Sequence, residues 1–195
     1  MINFFAKTIS TVLNPLVILM PVPFLLVLKS TNNYNLAFLW GLFSLVFMGI
    51  LSLFIILGIK LHYFSDLDIS KRKDRPLLFT FSIFLSAAYI VFLYFLSAPK
   101  VLFIIIFALI LGLTVFEIVN RYTKASIHVA TVSAFATSLF IVYDGIFILS
   151  FLLIPLVAWA RIKTHNHTKK QTIIGGSLGI LITLVVYVIF KYIVK

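Results

Sequence analysis

The sequence contains no cysteine, which excludes disulfide bonds, thiolate catalysis and cysteine-ligated metal sites. Acidic residues are also scarce, with 5 Asp and Glu against 16 Lys and Arg and a formal net charge of +11. No two histidines have the His-x-x-x-His spacing of a helical zinc motif, so the sequence predicts neither a metal site nor a cofactor. The chain has no low-complexity tract or soluble linker, and we expect a single domain over residues 1–195.

Apolar residues dominate the chain, because 63% of it is hydrophobic and 21 residues are phenylalanine. Several runs of about 20 apolar residues are long enough to cross a hydrocarbon core of ~30 Å as helices. The sequence therefore predicts an all-α polytopic membrane bundle of six to seven transmembrane helices, with seven as the direct count. The predicted spans cover residues 8–28, 36–59, 77–97, 101–120, 125–143, 146–160 and 173–193. Pro15, Pro21 and Pro23 interrupt the first run, so we expect that helix to be kinked or partly unwound.

The basic residues fall mainly in polar loops between these runs, which favours membrane orientation and lipid phosphate over nucleic acid as the reason for the charge. Two spans separate the loop at 60–76 from the loop at 120–127, and two more separate the latter from the loop at 161–172. All three loops are therefore expected on one side of the bilayer. That face carries twelve Lys and Arg against four on the other, which predicts a multi-pass cell-membrane protein with this face in the cytoplasm.

The polar loops contain the residue types that phosphoryl transfer requires. Cations hold the phosphoryl oxygens, a nucleophile attacks phosphorus, and an acid protonates the leaving oxygen. Arginine binds phosphate bidentately, and histidine attacks phosphorus or donates a proton near neutral pH. The second and third loops supply these types in Lys124, Ser126, His128, Arg161 and His167. Ser126 is also expected to be a helix N-cap, where the first amides add donors for an anion.

The third loop resembles the third signature of the type 2 phosphatidic acid phosphatase superfamily, which includes lipid phosphate phosphatases and haloperoxidase-like enzymes. The match consists of Arg161, five residues, His167, three residues and Gln171, followed by a helix start rich in small residues. The family pattern ends in Asp where this chain has Gln171. The resemblance covers roughly residues 60–190.

The second loop resembles the Pro-Ser-Gly-His signature of the same family. Ser126 and His128 match the Ser and His of that pattern, while Ala125 and Ile127 replace its Pro and Gly. Ile127 still offers a backbone N–H, although its branched side chain restricts the close approach that glycine permits.

The first loop resembles the remaining signature, which is Lys, six residues and Arg-Pro. Arg75-Pro76 fits its end, but Asp68 occupies the place of the lysine. If this segment is helical, Asp68, Arg72 and Arg75 share one face, so that Arg72 takes the role of the lysine and Asp68 orients it. The alternatives for that role are Lys71 and Lys73.

The resemblance implies a metal-independent, cofactor-free enzyme that removes phosphate from lipid phosphates or diphosphates through a covalent phosphohistidine. It implies that His167 is the nucleophile, that His128 is the general acid, and that Gln171 holds His167. It further implies phosphate binding by Arg72, Arg75, Lys124, Ser126 and Arg161. The expected partners are a lipid phosphate substrate and the bilayer, and not nucleic acid.

Two other interpretations remain open from the sequence. The departures from the three signatures are compatible with a decayed site that binds lipid phosphate or a partner without turnover. Asp66 and Asp68 also suggest a metal-dependent prenyl-diphosphate enzyme, although such enzymes need a second aspartate-rich loop and the chain has only two other Asp. For Arg72 and Arg75, the simplest alternative role is to set membrane orientation.

Overall fold

The structure is a computed structural model that describes residues 2–193, with the side chain of Ile193 left out of the description. Met1, Val194 and Lys195, which the predicted domain of residues 1–195 includes, lie outside the described residues. The described part of the chain consists of helices and connecting segments, without strands. Nine α-helices form in this part: α1 Ile2–Val12, α2 Pro15–Leu19, α3 Val22–Thr31, α4 Tyr34–Lys60, α5 Arg75–Phe95, α6 Lys100–Asn120, α7 Ile127–Tyr143, α8 Leu153–Lys163 and α9 Lys169–Val188.

Short helices of other types extend three of these elements. A 3₁₀-helix, Arg72–Asp74, precedes α5, and a second one, Gly145–Leu152, precedes α8. A π-helical turn, Ile189–Ile193, follows α9. With these extensions, the helix that ends in α8 covers Gly145–Lys163 rather than the predicted residues 146–160.

The predicted all-α, multi-pass membrane fold is confirmed. Five helices are long and apolar enough to cross a membrane, and a sixth crossing is made if the broken first run is a single span. The count is close to the predicted six to seven. The difference arises at α7, whose 17 residues extend only about 25 Å at 1.5 Å per residue.

The interruption expected in the first hydrophobic run is also found. The helix breaks at Asn14, before Pro15, and bends by 41° there. Asn14 adopts an extended conformation, and its side chain accepts a hydrogen bond from Leu16 N at 3.0 Å, so it caps α2. A further break at Met20 and Pro21 separates α2 from α3.

The chain forms two compact units. The first unit contains residues 1–22 and 123–195, and the second contains residues 23–122. In the first unit, α1 packs against α8, and α7 packs against α2, α8 and α9. The core of the first unit is formed by Leu13, Ile18, Val129, Val132 and Val157.

The second unit has a separate core between α3, α4, α5 and α6. It is formed by Val27, Ala37, Trp40, Tyr89, Leu93, Leu102 and Ile106. Within it, Ser44 Oγ and Tyr89 OH form a buried hydrogen bond of 2.7 Å, which joins α4 to α5. This bond satisfies two hydroxyl groups that are costly to bury alone.

Candidate active site

The first turns of α7 and α9 are in direct contact in the first unit. Ser126 N donates a hydrogen bond of 3.1 Å to the main-chain oxygen of Gln171. Further along α9, Gly175 lies against the Ser126 carbonyl and Gly179 against the Ala130 carbonyl, so closely that a Cβ at either glycine would overlap the oxygen. The glycines therefore permit the contact that brings the second and third sequence motifs together.

Gln171 holds His167 while it caps its own helix. Thr168 N donates to Gln171 Oε1 at 3.2 Å, and Gln171 N donates to Thr168 Oγ1 at 3.4 Å, which together form a capping box. The same Oε1 lies 3.1 Å from His167 Nδ1. The sequence-based prediction that Gln171 contacts His167 is therefore matched by the geometry.

The capping box also determines which atom of the Gln171 amide faces His167. A backbone N–H can only donate, so the amide atom beside Thr168 N must be the oxygen. That oxygen can only accept, so Nδ1 of a neutral His167 carries the proton and its lone pair lies on Nε2. A carboxylate at this position would impose the same tautomer, but Gln171 adds no negative charge.

Arg161 lies in the last turn of α8, inside the helix rather than in the loop where the sequence analysis placed it, and it is 1% exposed. Its NH1 donates a hydrogen bond of 2.7 Å to Ser10 Oγ of α1. Its main-chain oxygen accepts hydrogen bonds from Asn166 N at 3.1 Å and His167 N at 3.2 Å. The turn after α8 thus folds back and holds the His167 backbone against that of Arg161.

The second motif lies beside the same turn. Ser126 is fully buried at the N-cap of α7, and His128, in the first turn, is 4% exposed. Ser126 is the predicted N-cap residue, but its side chain makes no capping bond, and its Oγ has no hydrogen-bond partner within residues 2–193. Lys124 Nζ donates to the Asn166 carbonyl at 2.9 Å. Lys124, Ser126, His128, Arg161, His167 and Gln171 all belong to the first unit.

Arg72 and Arg75 belong to the second unit. The exposed guanidinium of Arg72 donates to the Arg121 carbonyl after α6, and the Arg72 carbonyl accepts from Asn120 Nδ2 at 3.3 Å. Arg75 is 2% exposed, and its Nε donates to the Ile69 carbonyl at 3.3 Å. Both residues therefore bind main-chain groups of their own unit.

The expectation that Asp68, Arg72 and Arg75 share a helix face is wrong. The chain between Lys60 and Arg72 is not helical, and helix α5 begins only at Arg75. Asp66 Oδ1 accepts hydrogen bonds from Asp68 N at 3.0 Å and from Ser70 N at 3.1 Å. These bonds hold the segment in a turn in place of a helix.

The structure adds Ser10, Asn166 and Thr168, which the sequence analysis did not select. Thr168 could have been identified from the sequence, because Thr-x-x-Gln before an apolar helix predicts a capping box. Ser10 had none, because it lies 151 positions from the arginine that it contacts. Asn166 acts through its main chain, which sequence patterns do not report.

The charge of the first unit favours an anionic ligand. Its described cationic residues are Lys7, Lys124, Arg161, Lys163, Lys169, Lys170 and Lys191. Its single acidic residue, Asp144, lies beyond the C-terminal end of α7, opposite to His128. Within residues 2–193, no group of three or more His, Cys, Asp or Glu is arranged to hold a metal ion. The side chains present can thus bind a phosphoryl group, attack it and transfer a proton.

Comparison with models of protein families, with curated proteins and with solved structures finds no match for this chain.

Proposed function

We propose that this chain is an integral-membrane enzyme that removes phosphate from lipid phosphates or diphosphates through a phosphohistidine at His167. One observation carries the proposal: Gln171 joins the two histidine motifs. Its main-chain oxygen accepts from Ser126 N at 3.1 Å, and its side-chain oxygen lies 3.1 Å from His167 Nδ1. Two motifs about 40 positions apart in sequence, each with a buried histidine, thus meet at one residue.

In the proposed reaction, Arg161, Lys124 and Ser126 bind the phosphoryl oxygens, together with the first amides of α7. His167 Nε2 attacks phosphorus, and the bond from phosphorus to the lipid oxygen breaks. His128 donates its proton to that oxygen and becomes neutral. Water then attacks the phosphohistidine, loses a proton to His128, and releases inorganic phosphate from His167. The bond between Gln171 and Nδ1 supports the first step, because it keeps the lone pair on Nε2.

Three finer assignments stay predictions. Arg72 and Arg75 were assigned to phosphate binding through the first motif, whose lysine is missing. The cell membrane and a cytoplasmic active face are predicted from the distribution of Lys and Arg.

The test is phosphate release by the purified protein in detergent, with EDTA present, from a panel of lipid phosphates and diphosphates. We expect release by the wild-type protein and a loss of about three orders of magnitude in His167→Ala. His165→Asn is the matched control, because His165 is exposed in the same turn and has a φ of 57°, which asparagine tolerates. Thermal melting should show that both variants are folded. No release from any substrate, or equal release by His167→Ala, would reject the proposal.

A binding protein without turnover is the second candidate, and the neutral side chain of Gln171 favours it. Loss of the carboxylate beside a catalytic histidine costs about four orders of magnitude in serine proteases, where the amide imposes the wrong tautomer. The capping box prevents that error here, so only the missing charge counts against turnover. Tight binding of a lipid phosphate with no release at any pH would identify this second function.

A further inference from the structure

A polar cleft lies at the end of α4 in the second unit, outside the residues to which the proposed reaction assigns a role. Its volume is about 430 Å³, within the range of small-ligand sites, ~300–1,000 Å³. Its polar lining comes from His62, Ser65, Lys71, Lys73 and Asp74. We propose that this cleft binds the phosphate group of an anionic membrane lipid.

The cleft is preformed, because the chain folds back tightly after α4. Tyr63 N and Phe64 N both donate to the Gly58 carbonyl, at 2.8 and 3.1 Å. Phe64, which lines the cleft, is 3% exposed, and its ring fills the space that a side chain on Gly58 would need. The ring also meets Phe54 edge-on, with 5.5 Å between centroids. A ligand entering this cleft therefore has to order little of the backbone.

The positive charge of the cleft is not used within the protein. Asp74 Oδ2 accepts a hydrogen bond from Ser65 N at 3.1 Å, and the carboxylate of Asp66 accepts three from nearby loop groups. Lys71 and Lys73 are exposed, and within residues 2–193 their ammonium groups form no hydrogen bond or ion pair. The acids thus hold the loop together, while two cations face the cleft.

The position of the cleft identifies the ligand as a lipid. Helix α4 has 27 residues and extends about 40 Å, so it crosses a hydrocarbon core of ~30 Å and its end reaches the headgroups. Ammonium groups at that level attract anionic lipids. His62, the first lining residue after α4, adds an imidazole N–H that suits a phosphate oxygen.

The test is native mass spectrometry of the full chain in detergent with phosphatidylglycerol, phosphatidylcholine or inorganic phosphate. We expect a one-to-one complex with phosphatidylglycerol that is about ten- to thirtyfold weaker in the double variant Lys71→Gln/Lys73→Gln. Lys169→Gln/Lys170→Gln is the matched control, because it removes two exposed lysines from the first unit. This control should bind as the wild type does.

Equal binding by the wild type and the Lys71/Lys73 variant, with both folded by thermal melting, would overturn the proposal. Equally tight binding of phosphatidylcholine would also overturn it, because a zwitterionic headgroup should gain little from the lysines. Displacement of the lipid by millimolar inorganic phosphate would overturn the assignment to a lipid. The measurement requires no turnover, so failure of the proposed phosphatase activity would not affect it.

Discussion

Replacement of Gly175 by alanine should weaken the contact between α7 and α9. The added Cβ would overlap the carbonyl oxygen of Ser126. That oxygen accepts the first hydrogen bond of α7, from Ala130 N at 3.1 Å, so it cannot turn away without unwinding the helix start. The clash must therefore be relieved by separation of the two helices, which also strains the bond from Ser126 N to the Gln171 carbonyl.

The size of the effect follows from a matched control in the same helix. A Cβ on Gly176 would meet Ser133 Oγ and Val129 Cγ1 at 3.4 Å, which is close to ordinary contact. Both substitutions gain about 1 kcal/mol of helix propensity, so the difference between them isolates the overlap. Overpacking costs about 1–3 kcal/mol, and for a chain of this size each kcal/mol shifts Tm by about 2–4 °C. We therefore expect Gly175→Ala to melt roughly 2–12 °C below Gly176→Ala.

The assay is thermal unfolding in one detergent at one scan rate, because unfolding of a membrane protein is often irreversible and then depends on that rate. Gly179→Ala should behave as Gly175→Ala does, since its Cβ would overlap the Ala130 carbonyl. Equal melting temperatures for Gly175→Ala and Gly176→Ala would show that the two helices are not packed as described. That result would also remove the main support for a shared site.

Two further predictions concern turnover by the proposed enzyme. Gln171→Asp should raise kcat, because a carboxylate stabilises the positive charge that develops on the His167 ring as Nε2 attacks phosphorus, and unchanged or lower kcat in a folded variant would contradict this role. Ser10→Ala should lower kcat/KM by about 10- to 100-fold, because a hydrogen bond to a charged group contributes ~1.5–3 kcal/mol. If Arg161 binds the phosphate, the change should lie mainly in KM. Ser10→Thr should recover most of the loss, and equal kinetics in Ser10→Ala would show that Arg161 does not depend on this hydroxyl.

The long helices were predictable because their apolar runs exceed the length of a bilayer crossing. Helix α4 covers Tyr34–Lys60 against a predicted 36–59, and α6 covers Lys100–Asn120 against 101–120. The boundaries of α8 were harder to predict, because Arg161 and Lys163 read as loop residues although both are helical. A polar residue in the last turn of a helix has no hydropathy signal of its own.

The candidate site was predictable where the residues lie close in sequence. The resemblance predicted that Gln171 holds His167, and the Gln171 side chain, which reaches back over the start of α9, places its oxygen 3.1 Å from His167 Nδ1. The helical interpretation of the first motif failed because the Asp66 carboxylate accepts hydrogen bonds from nearby backbone amides, which hold the segment in a turn. The bond from Arg161 to Ser10 required the tertiary structure, because no local pattern connects the two ends of the chain.

The order of the two units along the chain has a consequence for biosynthesis. The second unit is one continuous segment, residues 23–122, inserted between α2 and α7 of the first. The second unit is therefore synthesised before α7 and α8, which are the packing partners of α2 and α1. Because domains fold as their segments emerge, the second unit can fold first. The candidate active site can assemble only after α8 and α9 have been synthesised. Stalled or truncated nascent chains should hold a membrane-inserted second unit and no phosphate-cleaving centre.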